Sequence, residues 1–280
     1  MKKISVLVAF LFGFFGDTVF AESIDIAKAI FVKGRVYFLC TSNPTDKEQR
    51  LKKDMALQDG CSIVVKASKD NSGLAIIGFG ENFSSKMKIT EESKVTISRK
   101  THGTVGAADY RKIDSMVVGA GNLLINYVNS DKEKNKLEVK TAKASLGVRG
   151  TEFFTYVDKN GNTSMTVDSG VVSVAGTEAS ASGESGIMVE KGKGTIVAED
   201  GTVPMAKELA WSKEVNWKVD PQEGELKHST SLFASIEEQY KEWNKEIEAQ
   251  KKRYQEDIDA QKKNIEDDLE EQKKALWGDG

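Results

Sequence analysis

The chain has 280 residues, with 40 lysines and arginines against 43 aspartates and glutamates and a formal net charge of −3. That balance argues against a nucleic-acid binder, which needs a basic surface to neutralise phosphates. Two cysteines and two histidines leave little material for a zinc site.

The first 21 residues read as a secretory signal peptide. Lys2 and Lys3 are followed by an apolar stretch from Ile4 to Phe15, and Val19-Phe20-Ala21 suits cleavage after Ala21. The apolar stretch is short for a transmembrane helix, and no later segment is apolar enough to span a bilayer. No cysteine stands at the cleavage point, so a lipoprotein is not expected. Lys2, Lys3 and Asp17 give the segment a net charge of +1, which leaves the mature chain near −4. The expected location is periplasmic or secreted. In such an oxidising compartment Cys40 and Cys61 are expected to form one disulfide, with two buried free thiols as the alternative. The bridge would close a loop of about 22 residues and stabilise by roughly 3 kcal/mol.

From Ile24 to Val203 the chain is rich in Val, Ile, Thr, Ser and Gly, with one proline, Pro44. Strands are expected over Ala29 to Leu39, Ser62 to Ala67, Gly73 to Phe79, Lys86 to Thr90, Lys94 to Ser98 and Asn122 to Asn129. They continue over Lys136 to Thr141, Glu152 to Val157, Asn162 to Val167, Val171 to Ala175, Gly186 to Val189 and Gly194 to Ala198. Turns are expected at Lys69-Asp-Asn-Ser-Gly73, Asp158-Lys-Asn-Gly161, Asp168-Ser-Gly170 and Asp200-Gly201, where Asn-Gly and Asp-Gly supply positive φ. Many short strands at regular spacing predict an all-β sandwich, barrel or solenoid. Pro204 to Trp217 is expected to form a short helix with proline in its first turn. Asp220-Pro-Gln-Glu-Gly224 reads as a linker.

Ser231 to Trp277 has no glycine or proline and is dominated by Glu, Lys, Gln and Asp. It predicts one long helix, of which the repeat of eleven from Ile236 spans roughly 65 Å. Blocks of eleven start at Ile236, Ile247, Ile258 and Leu269, and Trp243, Tyr254, Ile265 and Leu276 share a second position. Gln239, Gln250, Gln261 and Gln272 share a third. An eleven-residue period keeps the apolar stripe almost parallel to the axis and supports a nearly straight coiled coil. The stripe reads as a seam for self-association or a partner helix. The alternative is a solvated monomeric rod held by Glu–Lys pairs.

The stretch KASLGVRGTEFFTYV, Lys143 to Val157, carries the most distinctive pattern. It is no phosphate loop, because its glycines precede a strand rather than open a helix. Nor does Ser145 sit in a nucleophile elbow. Gly147 and Gly150 are expected to allow a sharp bend and Thr151 to hydrogen-bond local backbone. Phe153 or Phe154 should point into the core. Arg149 is expected to anchor a carboxylate or carbonyl, so that Arg149→Ala lowers the melting temperature.

These residues resemble the FecR domain family. The matching features are Leu137-Glu-Val-Lys-Thr141, Ala144-Ser-Leu-Gly-Val-Arg-Gly-Thr-Glu-Phe153 and Gly170-Val-Val-Ser-Val174, with Ala142 where the family often has proline. Gly34-Arg-Val-Tyr-Phe38, Leu57-Gln-Asp-Gly60 with Ile63-Val-Val65, and Ser72-Gly-Leu-Ala-Ile-Ile-Gly-Phe79 fit earlier parts, so the resemblance covers about Ala29 to Val203. It implies a mainly β protein: a FecR-like all-β domain, β-solenoid-like or sandwich, followed by a long C-terminal helix. It also makes Gly147, Arg149, Gly150, Thr151, Phe153 and Gly170 fold determinants. Iron-uptake regulators of the family carry a cytoplasmic anti-sigma segment and a membrane helix. Neither is seen here, so what the resemblance implies is an exported binding or scaffolding module.

The expected organisation is a signal peptide at 1–21, a FecR-like β domain at 22–203, a short helix and linker at 204–224 and the charged helix at 225–280. His102 and His228 lack cysteine or carboxylate partners at metal-ligand spacing. Asp158 to Asn162 is oxygen-rich but lacks the later glutamate of a calcium loop. No catalytic, cofactor or metal site is expected, and the protein is read as no enzyme. The expected partner is an envelope protein, with a cell-wall or polysaccharide ligand as the alternative and a hydrolase or lyase as a third reading. All four tryptophans lie outside the β region, which counts against a sugar-stacking platform there.

Overall fold

The computed structural model describes residues 25–41, 47–67, 73–103, 111–129, 135–177, 186–197 and 200–278. The expected signal peptide and most of the expected turn at Lys69 to Gly73 lie outside the described residues. The strands are β1 Asp25–Lys33, β2 Val36–Cys40, β3 Gln49–Arg50, β4 Ala56–Gln58, β5 Cys61–Val65, β6 Leu74–Phe79, β7 Ser85–Thr90 and β8 Ser93–His102. They continue as β9 Arg111–Asn126, β10 Asn135–Lys140, β11 Ala144–Val148, β12 Glu152–Val157, β13 Thr163–Ser169, β14 Val171–Gly176, β15 Ile187–Glu190 and β16 Gly194–Val197. Two 3₁₀ turns follow, at Ala210–Glu214 and Pro221–Glu223, and then the long helix α1 Thr230–Trp277.

The strands form two layers joined by β9. The first runs β4-β1-β6-β7-β9-β12-β13-β16. The second runs β3-β2-β5-β8-β9-β10-β11-β14-β15. The N-terminal part of β9 pairs with β8 and β10, and its last residues pair with β7 and β12. The crossing is made at Gly121, with φ of 88°. A Cβ there would lie 2.2 Å from Ser93 Oγ, so only glycine fits. Neither layer closes on itself.

Alternation sends one side chain in two to the space between the layers. Ile77, Met87, Ile125, Phe153 and Met165 from the first meet Ile63, Val95, Met116, Val139 and Leu146 from the second in one core. Cys40 and Cys61 stand opposite each other in the β2–β5 pair and are joined by a disulfide.

The expected run from Ala29 to Leu39 is two strands, broken where Gly34 takes a φ of 73°. The N-terminal part of β9 escapes sequence reading because Lys112, Asp114, Gly119 and Gly121 mimic a loop. Thr163–Ser169 and Val171–Gly176 lie close to their expected bounds, and Glu152–Val157 matches its own. The helix expected over Pro204 to Trp217 shrinks to the turn at Ala210–Glu214. Its apolar residues serve a sheet instead. Lys207 bridges to Gly194 beside β16, and Leu209, Trp211, Val215 and Val219 descend onto one flat surface.

That surface is the outer face of the first layer. Leu124, Phe154 and Ile196 point away from the main core and are covered by Leu209, Trp211, Val215 and Val219 and by Leu232, Ile236 and Trp243 of α1. Phe154 meets Trp211 edge-on at 6.0 Å. Leu226 likewise covers Leu74 and Ile76, which explains why every residue of β6 is buried. The segment from Pro204 to Ser229 is thus a strap packed across the sheet. Trp211→Ala is expected to cost about 3–5 kcal/mol in urea unfolding and to expose the strap to protease.

Candidate interaction site

The helix is held by only part of its stripe. Ile236 and Trp243 are buried, and Ile247 packs against them. Lys207 Nζ lies 4.3 Å from the Trp243 ring centroid, and Lys251 pairs with Asp200 at 2.9 Å. Beyond that point the same face of the eleven-residue repeat is largely bare. Tyr254 is 70% exposed, Ile265 58%, Leu269 49% and Leu276 79%, while Ile258 is half-buried. The eleven-residue repeat is therefore one pattern with two environments.

A buried cation fastens the strap to the sheet. Lys88 on β7 is fully buried. Its Nζ donates to the carbonyl of Asn216 and, at 2.8 Å, to that of Lys218. Burial pulls its pKa down to about 7, against the pull of the Glu152 and Glu223 carboxylates. His228 lies next to it, with Phe154 at 5.1 Å and Phe233 at 6.2 Å between ring centroids. Its Nδ1 accepts the Asn216 N–H at 3.2 Å, which fixes the neutral ring with its proton on Nε2. Burial, and then the nearby Lys88 charge, hold its pKa down at about 3. Sequence reading assigned neither residue this role. Lys86 and Lys88 alternate with Met87 and Ile89, which reads as a strand with a wet outer face. Only the strap inverts that reading.

Beside this clasp, a cleft of about 570 Å³ opens between the sheet and the start of α1, lined by Glu92, Asn122, Tyr156, His228, Phe233 and Glu237 among others. Tyr156 Oη donates to Glu237 Oε1 at 3.3 Å, and its ring lies 5.3 Å from that of Phe233. Burial and the Glu237 carboxylate raise the Tyr156 pKa above its ordinary value, so the phenol stays a donor. Thr90 and Asn122 exchange hydrogen bonds of 2.8 and 2.6 Å on the cleft wall. Among the described residues no group of three or more His, Cys, Asp or Glu is placed to hold a metal. Asp158 spends its carboxylate within its own turn, accepting from the N–H groups of Asn160 and Asn162 and from Asn162 Nδ2.

The Lys143 to Val157 stretch lies apart from the cleft at its N-terminal end and reaches it through Tyr156. The bend is made by Gly150 alone, with φ of 63°. Gly147 sits within β11, where a Cβ would meet nothing closer than Ser173 Cβ at 3.8 Å, so it is no corner residue. Thr151 is buried, and its carbonyl accepts the Tyr127 N–H at 2.9 Å. Its hydroxyl, expected to bond local backbone, has no partner among the described residues. Gly170 holds the turn tight, since a Cβ there would lie 2.4 Å from Thr151 Cγ2 and 2.7 Å from the Gly150 carbonyl oxygen. Phe153 and Phe154 are both buried, one in each core. The anchoring role expected of Arg149 is corrected: the side chain is exposed and has no hydrogen bond or ion pair among the described residues.

This turn and the strands around it fall within the part of the chain that is similar to a known family. Residues 80–173 match the family model described as FecR protein. The FecR match runs from the end of β6 into β14 and so takes in β9, the strand both layers share. No curated protein matches the chain. Two crystal structures of a proposed anti-sigma factor from Parabacteroides distasonis ATCC 8503 are similar to it at 17% and 16% identity, with TM-scores of 0.33 and 0.32. Each likeness covers 44% of this chain and 51% of the other, so the chain spans about half the length of the solved structures it matches.

The turn at Gly150 and the clasp are each open to test. Arg149→Ala should leave the melting temperature unchanged within the range of surface substitutions, about 0.5 kcal/mol. Gly170→Ala should lower it strongly, because both φ of 81° and the close contact oppose a side chain. The clasp makes stability pH-dependent in two windows. Between pH 3 and 6.5 the unfolded His228 takes a proton that the folded one refuses, so stability falls as pH falls. Between about pH 7 and 10.5 the folded Lys88 sheds a proton that the unfolded one keeps, so stability rises with pH. Urea midpoints across pH should show a gain of on the order of a few kcal/mol over the upper window, and Lys88→Met should flatten that window alone.

Proposed function

We propose that this is an exported, non-enzymatic envelope protein whose FecR-like β domain serves protein interaction, signalling or scaffolding, with its helix presenting the contact surface. The observation that carries this reading is the divided stripe. Ile236, Trp243 and Ile247 are used up in fastening α1 to its own β domain, while Tyr254, Ile265, Leu269 and Leu276 continue the pattern uncovered. A helix so anchored holds a regular apolar seam away from the body that built it. A partner helix, from an envelope protein or from a second copy of the chain, fits a seam of this period.

The N-terminal residue pattern supports export, and the FecR match supports a role in signalling. Among the described residues no helix is long and apolar enough to cross a membrane. Arg149, exposed at the end of β11, is a second candidate contact of the β domain.

In-cell photocrosslinking from position 269, with mass spectrometry of the products, tests the reading. One dominant envelope protein or a self-adduct is expected, and Ile265→Glu should abolish it while leaving the melting temperature unchanged. An adduct pattern indifferent to Ile265→Glu would refute the seam. The glycan alternative is favoured by the cleft, where the Tyr156 and Phe233 rings stand beside the Glu237 carboxylate. Retention on purified sacculi, lost on Tyr156→Ala, would support that alternative instead.

A further inference from the structure

The outer face of the second layer carries a basic cluster with a single carboxylate partner among the described residues. Val36 pairs with Val65, and the Lys66 N–H donates to the Arg35 carbonyl at 2.9 Å, so Arg35 and Lys66 stand opposite each other. Val36, Phe38, Ile63 and Val65 point into the core. Alternation therefore puts Arg35, Tyr37 and Lys66 on the outer face. On the other side of β2, Tyr37 pairs with Arg50.

Three cations surround one phenol. Arg50 Nη1 donates to Tyr37 Oη at 3.4 Å, and its guanidinium carbon lies 5.3 Å from the ring centroid. Lys66 Nζ lies 4.7 Å from the same centroid. Hydrogen bonds from Arg50 and then Arg35 make the phenol more acidic than usual. The remaining donors find little. Arg35 Nη1 reaches the Ala67 carbonyl at 3.3 Å, and Arg50 Nη2 reaches the Gly34 carbonyl. Among the described residues one carboxylate, that of Glu48, pairs with the cluster, through Lys66.

Like charges opposed across a strand pair cost stability, and the chain as a whole is acidic. A concentration of cations on an exposed face, with one carboxylate paired to it among the described residues and pre-ordered by one aromatic ring, is the arrangement that an anion would complete. Two guanidinium forks, an ammonium and a phenol hydroxyl are the donor set of phosphate recognition. We propose that Arg35, Tyr37, Arg50 and Lys66 form a binding site for a phosphate group, carried either by an anionic lipid headgroup or by a soluble phosphate.

The test uses the purified protein. It is expected to float with vesicles containing phosphatidylglycerol but not with phosphatidylcholine vesicles, or to gain melting temperature on titration with inorganic phosphate. The first result identifies a headgroup and the second a soluble phosphate. Arg35→Gln combined with Arg50→Gln should weaken the response by roughly tenfold or more. The melting temperature of this variant without phosphate should equal or exceed that of the parent, because the opposed charges are relieved. Lys66→Gln, which keeps both arginines, should weaken the response as well. A parent protein that responds to neither probe, or variants that respond as the parent does, would overturn the proposal.

Discussion

One strand has to serve two sheets, and the fold depends on the point where it changes over. β9 pairs with β8 and β10 along its first part and with β7 and β12 along its last. Gly121 allows this because its backbone lies against Ser93 with no room for a side chain. The Ser93 hydroxyl accepts the N–H of Asn122 at 2.9 Å, and Asn122 in turn bonds Thr90. The changeover is thus fastened by a short buried polar network. Because all backbone groups of β9 must find partners, the two layers cannot shift relative to each other without breaking this strand. The FecR match is centred on the same part of the chain.

Everything attached outside the layers follows from which faces remain apolar. The first layer has apolar residues on both sides, and the strap and α1 are the cover that its outer side requires. Covering a lysine-bearing strand creates a cost, since Lys88 leaves water. Two carbonyls of the strap offset part of it, and these carbonyls belong to the segment that does the covering. The clasp is therefore self-referential: the strap buries the charge, and the charge orders the strap. The second layer, by contrast, keeps Tyr37 and its cations in the open.

The sequence was most readable where one period dominates. A short apolar run marked β12 to its ends, and the glycine turns separated β13 from β14. The loss of glycine and proline from Ser231 onward marked α1 within a residue of its start, and the eleven-residue repeat begins six residues inside it. It was least readable where a residue's surroundings come from far along the chain. Lys88 looks wet until residues 216 and 218 are laid over it, a separation of 128 and 130 residues. Pro204 to Trp217 has helical composition, yet its tryptophan and leucine are claimed by a sheet. Arg149 and Gly150 are adjacent in one motif and have opposite roles, one exposed and one setting the turn. Motif spacing does not distinguish them. The basic cluster was missed because Arg35, Arg50 and Lys66 are scattered singly along the chain and meet only through strand register.

The helix also has a mechanical consequence. At 1.5 Å per residue, the 48 residues of α1 extend about 72 Å, and the part beyond Ile247 accounts for about 45 Å of it. Among the described residues it is seated along its first turns on the strap and the first layer. A rod seated at one end acts as a lever. A tilt of about 5° at the seat, well within what a repacked side chain such as Trp243 could impose, moves the tip by about 4 Å over that length. Small rearrangements under the strap are in this way geometrically magnified at Leu276.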